Sequence, residues 1–303
     1  MKRRNFIQKT AASTALLSMT GIGLSCSRSS ATKITILHTN DVHSHVEEFG
    51  PNAGQNSNKG GVAKRAALVE SVRKENPNTL LLDAGDIFQG TPYFNFYGGE
   101  LEFKLMSLLK YDVATIGNHD FDNGINGLYA QLPHAKFDFI SANYDFSNTV
   151  MDTHVKPYKT FVKEGVKIGV FGLGIELNGL VNKEAYKETK YLDPVEIAQD
   201  MSRILKTEEQ CDLIICLSHL GYDYETSTSK ISDLRLAKAT QDIDLIIGGH
   251  THTFLDEPTI ETNAVGKKVI VNQVGCYGLY LGKIDFYFEA NQLKESDGSK
   301  LAV

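Results

Sequence analysis

Five short apolar runs in this chain each stop abruptly at Asp, Asn or His, and that repeat constrains the fold more than any other feature. Ile34-Thr35-Ile36-Leu37 runs into His38-Thr39-Asn40-Asp41-Val42-His43, and Leu80-Leu81-Leu82 into Asp83-Ala84-Gly85-Asp86. Thr115-Ile116 ends in Gly117-Asn118-His119-Asp120-Phe121-Asp122, Cys216-Leu217 in Ser218-His219, and Leu245-Ile246-Ile247 in Gly248-Gly249-His250-Thr251-His252. Unbroken apolar runs of this length read as strands buried on both faces. Open α/β sheets place their sites at the carboxyl ends of such strands.

The rest of the chain supports that reading. Thr79–Leu82, Val113–Ile116, Phe137–Ala142, Val166–Gly172, Leu213–Leu217 and Ile243–Ile247 are expected strands. Between them Val62, Ala66, Val69 and Val72 fall at helical spacing, as do Leu101, Leu105 and Leu108. Asp193-Pro194 supplies an N-cap and a first-turn proline ahead of Ile197, Met201, Ile204 and Leu205. Strands alternating with helices indicate an α/β domain. Val269–Val274 and Tyr280–Phe288 follow each other with no helix between, which predicts an antiparallel sheet edge. Residues 291–303 are polar and read as a frayed tail or the start of a linker.

Residues 1–25 read as an export signal rather than fold. Lys2, Arg3 and Arg4 precede an apolar stretch from Ala11 to Leu24, too short to span a bilayer comfortably. The Arg3-Arg4 pair with Phe6-Ile7 resembles a twin-arginine signal, an ordinary export signal with two arginines being the alternative. Leu24-Ser25-Cys26 resembles a bacterial lipoprotein cleavage site, although Gly23 stands where a larger aliphatic residue is usual. The expectation is a periplasmic protein or one anchored to the membrane through a lipid on Cys26. Residues 26–32 read as a tether and 33–290 as the domain. Removing residues 1–25 takes away Lys2, Arg3, Arg4 and Lys9 and no acid, which carries the net charge from −6 to −10. That balance excludes a broad footprint for a nucleic-acid polymer, and four Cys in 303 residues exclude a disulfide scaffold.

Taken singly, a His after a strand is most often a hydrogen-bonded loop residue. Five such ends in one chain point to a shared site. The i, i+2 spacing of Asp41 with His43, and of His250 with His252, puts paired side chains on one side of an extended segment. Oxygen and imidazole donors suit divalent Zn, Mn, Fe or Co, and the absence of thiolates argues against a structural zinc knot. Gly60-Gly61 before Val62 offers either backbone N–H groups for phosphate or a flexible helix start. His38 is expected to pack in the core, and His45 to lie beside the site or on the surface. His134 and His154 fall in loops with no partner in view. Cys211, Cys216 and Cys276 are spaced wrongly for a metal clip, and Cys211 and Cys216 read as buried, inert thiols.

At these residues the chain resembles the calcineurin-like metallophosphoesterase superfamily and, within it, the 5′-nucleotidase family. The resemblance runs from about Lys33 to Tyr287 and includes Gly60-Gly61-Val62-Ala63 and Gly85-Asp86-Ile87-Phe88-Gln89-Gly90-Thr91. It implies a four-layer α/β/β/α sandwich of two mixed sheets flanked by helices. It also implies two divalent metal ions, with Asp41, His43 and His252 on one, Asn118, His219 and His250 on the other, and Asp86 bridging. Two dications with two carboxylates keep a +2 centre that attracts an anionic phosphate into an acidic protein. Such a pair clamps phosphoryl oxygens and lowers the pKa of a shared water, for in-line attack on phosphorus. Asn118, His119 and Asp122 are the catalytic candidates. His119 contacts phosphate or leaving oxygen, and Asp122 orients and charges it; the alternative for Asp122 is a cap on the helix carrying Ile125 and Leu128.

The activity so implied is hydrolysis of nucleotides, of the 5′-nucleotide or 2′,3′-cyclic type, or of related phosphate esters. Two alternatives stand beside it: a thiosulfate-ester hydrolase of the same family, and a catalytically silent binding subunit. The intact donor set from Asp41 to His252 counts against the silent subunit. Many family members carry a second, nucleoside-selecting domain; the expectation here is either that a separately encoded C-terminal substrate domain supplies it or that the site is open to varied phosphate esters.

Overall fold

The computed structural model describes residues 31–227 and 230–303. The expected export signal, with Arg3 and Arg4, and the lipidation candidate Cys26 lie outside the described residues. In chain order β1 (Thr32–Thr39) leads through α1 (Val62–Glu75) to β2 (Thr79–Asp83). Helices α2 (Pro92–Tyr97) and α3 (Glu100–Leu108) precede β3 (Val113–Ala114), and α4 (Gly124–Gln131) precedes β4 (Asp138–Phe139). Then come β5 (Tyr144–Asp145), β6 (Tyr158–Lys163), β7 (Val166–Leu173), α5 (Lys183–Tyr186), β8 (Lys190–Tyr191) and α6 (Pro194–Thr207). The chain closes with β9 (Leu213–Ser218), α7 (Asp233–Ala239), β10 (Leu245–Ile247), β11 (Thr259–Thr262), β12 (Lys268–Asn272), β13 (Tyr280–Glu289) and β14 (Gln292–Ala302).

Two six-stranded sheets result, ordered β14-β13-β1-β2-β3-β4 and β11-β12-β10-β9-β7-β6. Pairing is parallel from β1 to β4 and among β7, β9, β10 and β12, and antiparallel at the outer strands. The two-residue side-chain period divides each central strand between two cores. Ile34, Ile36, Leu80 and Leu82 turn inward onto Val170, Ile215, Leu217 and Ile247 of the other sheet. Leu37 and Leu81 turn outward onto Val69 and Val72 of α1, Met106 of α3 and Leu128 of α4. Ile214, Cys216 and Ile246 pack outward on Ala198 and Leu205 of α6 and Leu236 of α7. The result is the expected four-layer α/β/β/α sandwich. Each fully buried Leu or Ile contributes about 1.5–3 kcal/mol, so the central strands, buried on both faces, fix the positions of the loops at their ends.

Three expectations need correction, and one left open is decided. Residues 291–303 are not a frayed tail: β14 pairs antiparallel with β13 along its length, and Val303 is buried. The turn between them uses Ala290 and Asn291, both at positive φ, without the Asn-Gly signature that marks such hairpins in a sequence. Val269–Val274 and Tyr280–Phe288 do not pair with each other, because β12 and β13 belong to different sheets. The antiparallel edges form instead through β11 on β12 and β13 on β1. On α3 the buried side is Glu102, Phe103 and Met106, while Leu108 is exposed. Finally, Gly60 N–H donates to the Val303 carbonyl at 2.8 Å and Val62 N–H to that of Val46 at 2.8 Å, so this turn is a helix start and not a phosphate cradle. The cap on α6 is as expected, with the Asp193 carboxylate accepting from Val195 and Glu196 N–H.

Candidate metal centre

Strands β1, β2 and β3 of one sheet and β9 and β10 of the other end at a common edge. Their loops converge there. Asp41, His43, Asp86, His250 and His252 all have positive φ, a conformation costing roughly 1–3 kcal/mol per residue unless its surroundings enforce it. The paired side chains therefore converge through tight left-handed turns, not along the extended segments expected from their spacing. His250 and His252 indeed diverge, each to a different cluster.

The first cluster is Asp41, His43 and His252; the second is Asp86, His219 and His250. His43 Nε2 lies 2.9 Å from His252 Nε2, and His252 Nε2 lies 3.3 Å from Asp41 Oδ1. His219 Nε2 is 3.1 Å from Asp86 Oδ2, which is also 3.9 Å from His43 Nε2. Asp86 thus stands between the clusters. Asn118 Oδ1 joins the second one, 2.8 Å from His250 Nδ1.

The donor orientation tests whether cations fit. His43 Nδ1–H donates to the Phe88 carbonyl at 3.1 Å, and His219 Nδ1–H to that of Ala84 at 2.7 Å. Each imidazole therefore presents its Nε2 lone pair to the site. His219 Nε2 is fully buried without a hydrogen-bond partner, facing a carboxylate. Lone pairs gathered this way repel unless a proton or a cation lies among them. The carboxylate, imidazole and amide donors present suit a divalent ion.

Protonation responds to the same crowding. Burial pushes Asp86 up, but the imidazoles of His219, His43 and His119 outweigh it and hold the carboxyl well below the usual range. Burial pulls His219 down, yet Asp86 and Asp41 raise it to about 10. Its bond to Asp41 raises His252 to about 10. His250 falls to about 4 through burial and the neighbouring His219, and burial lowers His43. Metal binding displaces such protons, since the ligands must be deprotonated.

His119 stands beside the clusters, its ring 5.3 Å from that of His43, and its side chain is 38% exposed. His119 Nδ1–H donates to Asp122 Oδ2 at 3.0 Å. That bond raises the His119 pKa against the opposing effect of burial, with Asp86 adding to the rise. Asp122 is thus a partner of His119; the helix it was weighed as capping, α4, has Asn123 at its N-cap.

Three residues escaped the sequence reading. Asp120, fully buried, accepts N–H bonds from Asp86, Ile87, Phe88 and Gly117 and so ties the β2 loop to the β3 loop. Its place next to His119 was visible in the motif, but its direction was not. Asn40 donates to Asp41 Oδ2 and the Gly275 carbonyl and accepts from Val274 N–H. Gln273 holds the His250–His252 loop through the Gly249 carbonyl and Thr253 N–H.

The remaining His serve packing. His38 is buried, accepts from Asn272 Nδ2 at 2.8 Å, and is held down to about 3 by burial. His45 Nδ1–H donates to the His43 carbonyl, and its ring stacks on Phe49. His134 lies 3.9 Å from Glu100, and His154 packs on Tyr129. Cys211, Cys216 and Cys276 are free and buried.

The calcineurin-like phosphoesterase family model matches residues 34–254. The snake venom 5′-nucleotidase of Crotalus adamanteus is 36% identical over 287 residues, covering 87% of this chain and 47% of that protein. The trifunctional nucleotide phosphoesterase protein YfkN of Bacillus subtilis is 32% identical over 302 residues, covering 89% of this chain and 19% of that protein. The crystal structure of a 5′-nucleotidase precursor from Thermus thermophilus superposes with a TM-score of 0.81 at 34% identity, over 90% of this chain and 55% of that one. The chain spans about half the length, or less, of these relatives.

Proposed function

The chain belongs to the calcineurin-like phosphoesterase family, and from that premise we propose that it is a metal-dependent phosphoric ester hydrolase of the 5′-nucleotidase type. Its substrates in this reading are 5′-nucleotides, 2′,3′-cyclic nucleotides or related phosphate esters. The observation that carries it is the pair of adjacent donor clusters, with Asp86 of the second 3.9 Å from His43 of the first and a carboxylate-bound imidazole beside them.

Asp41, His43 and His252 would hold one divalent ion and Asn118, His219 and His250 the other, with Asp86 between. Bound there, two such ions neutralise phosphoryl oxygens and lower the pKa of the attacking water. His119 keeps its Nδ1–H on Asp122, which leaves Nε2 to carry a proton toward the departing oxygen. The His119 N–H donates to Asp86 Oδ1 at 2.8 Å, so the acid and the bridging carboxylate are fixed relative to each other.

Export belongs to the same proposal. It rests on Arg3-Arg4 and the apolar run to Cys26, which support a periplasmic or lipid-anchored protein. Among the described residues no helix is long and apolar enough to cross a membrane.

The test is hydrolysis by the purified protein with Mn, Zn or Co added, read as phosphate released from AMP, monophosphate formed by ring opening of 2′,3′-cyclic AMP, and p-nitrophenol released from p-nitrophenyl phosphate. Turnover that a chelator abolishes is expected. No hydrolysis of any of the three esters with any metal refutes the proposal.

A further inference from the structure

Beneath the loop that carries Asp41 and His43 lies a cavity of about 20 Å³, lined in part by Ser44, Arg65, Asp83, Glu102 and Tyr111. Two charged side chains reach it from the helices. Arg65 of α1 and Glu102 of α3 are each 4% exposed, and charges so buried require partners. Glu102 Oε1 accepts from Ser44 Oγ–H at 2.5 Å. Its Oε2 has no protein partner, and neither have Nε and Nη1 of Arg65. A cavity of this size holds one water molecule and excludes an organic ligand.

Ser44 matters because of its neighbour. Its φ is +58° and that of His43 is +49°, values that persist only where contacts enforce them. Ser44 N–H donates to the Ile87 carbonyl at 2.8 Å. Its own carbonyl accepts from Thr91 Oγ1 at 3.0 Å. Ser44 Oγ also lies 2.8 Å from Thr91 Oγ1; of these anchors only the bond to Glu102 comes from a buried acidic side chain. Without it the turn can relax, and the peptide that joins Ser44 to His43 turns with it. His43 Nε2 then leaves its place beside His252 and Asp41.

We propose that Glu102 is a positioning residue for His43, acting through Ser44, and that a water in the cavity hydrogen-bonds the otherwise unpartnered Glu102 Oε2 and Arg65 N–H groups behind it. The assignment rests on reading Asp41, His43 and His252 as a metal-binding cluster. Neither residue touches that cluster, and neither stood out in the sequence: Arg65 sits among helix residues, and Glu102 falls on a helix whose leucines suggested another face.

Calorimetric titration of the full chain with manganese(II) alone tests it, with no substrate present. The wild type should bind two ions. Glu102→Ala should weaken one site about 10- to 100-fold, as supporting contacts of metal ligands do, and leave the other unchanged. Glu102→Gln keeps an acceptor for Ser44 Oγ–H and should restore wild-type affinity. Since Glu102→Ala strands Arg65 and can impair folding, Ser44→Ala serves as a second probe that retains both charges, and it should weaken the same site. Two-site binding that is unchanged in Glu102→Ala and Ser44→Ala overturns the positioning role alone, as does Glu102→Gln binding as poorly as Glu102→Ala. A wild type that binds no manganese overturns the metal centre, and this assignment with it.

Discussion

Asp120→Asn changes one atom in the buried clamp that joins two ligand loops. In the wild type Asp120 Oδ1 accepts from Ile87 and Phe88 N–H at 2.9 and 3.2 Å, and Oδ2 from Asp86 and Gly117 N–H at 3.1 and 2.8 Å. An amide can keep one pair. Its NH₂ then faces the other two N–H donors, which lose their acceptor in a site closed to solvent. At about 1–3 kcal/mol for each buried donor left unpaired, the substitution should cost about 2–6 kcal/mol. That is a large part of the roughly 5–15 kcal/mol that holds a typical domain together. For a domain of this size it corresponds to a fall in Tm of roughly 5–20 °C. Thermal unfolding followed by circular dichroism, wild type against Asp120→Asn in the same chelated buffer, measures it. A Tm within 2 °C of wild type would refute the clamp (roughly 1 kcal/mol or less).

Four further outcomes follow from the structure. His119→Ala should lower kcat by about 10²–10⁴-fold while manganese titration still finds two ions; loss of an ion would show His119 to be a ligand. Asp122→Asn replaces the carboxylate that raises the His119 pKa with a neutral acceptor, so the protonated form is lost at lower pH and the alkaline limb of kcat/KM should move down; an unmoved limb refutes that role. Gly85→Ala should impair metal binding, because at φ +89° its Cβ would lie 2.6 Å from Gly117 N and 3.0 Å from His219 Nδ1, and titration would read a normal second site if this is wrong. In chelated protein Tm should fall as pH rises from 6.5 to 8.5. Burial raises Asp83 to about 7 and Asp233 to about 8; the folded state then binds more protons than the unfolded one, and stability falls as pH climbs through these values. A Tm constant across that window would count against the buried carboxyls.

By itself the sequence determined the α/β class, the central strands and which residues gather at their ends. Ile34-Thr35-Ile36-Leu37 and Leu80-Leu81-Leu82 carry a strong local signal, since a strand buried on both faces has no polar side to show, and the Asp, Asn and His that follow are conspicuous against it. The outer strands were harder to read. β14 is mostly polar because it is an edge, and its Ala290-Asn291 turn needs a backbone conformation that those residue types do not announce. The separation of β12 from β13 into different sheets was equally hidden, because adjacency in a sequence does not fix which sheet a strand joins.

Tertiary structure decided the geometry of the site. Spacing alone put His250 and His252 on one side of a strand, but the turn at positive φ sends each to its own cluster. The supports of those ligands come from distant parts of the chain: Asp120 across to Asp86, Gln273 to Gly249, Glu102 to Ser44. A buried carboxylate's role is set by which donors the fold brings within about 3 Å of it, and that distance exists only after the loops have closed around it.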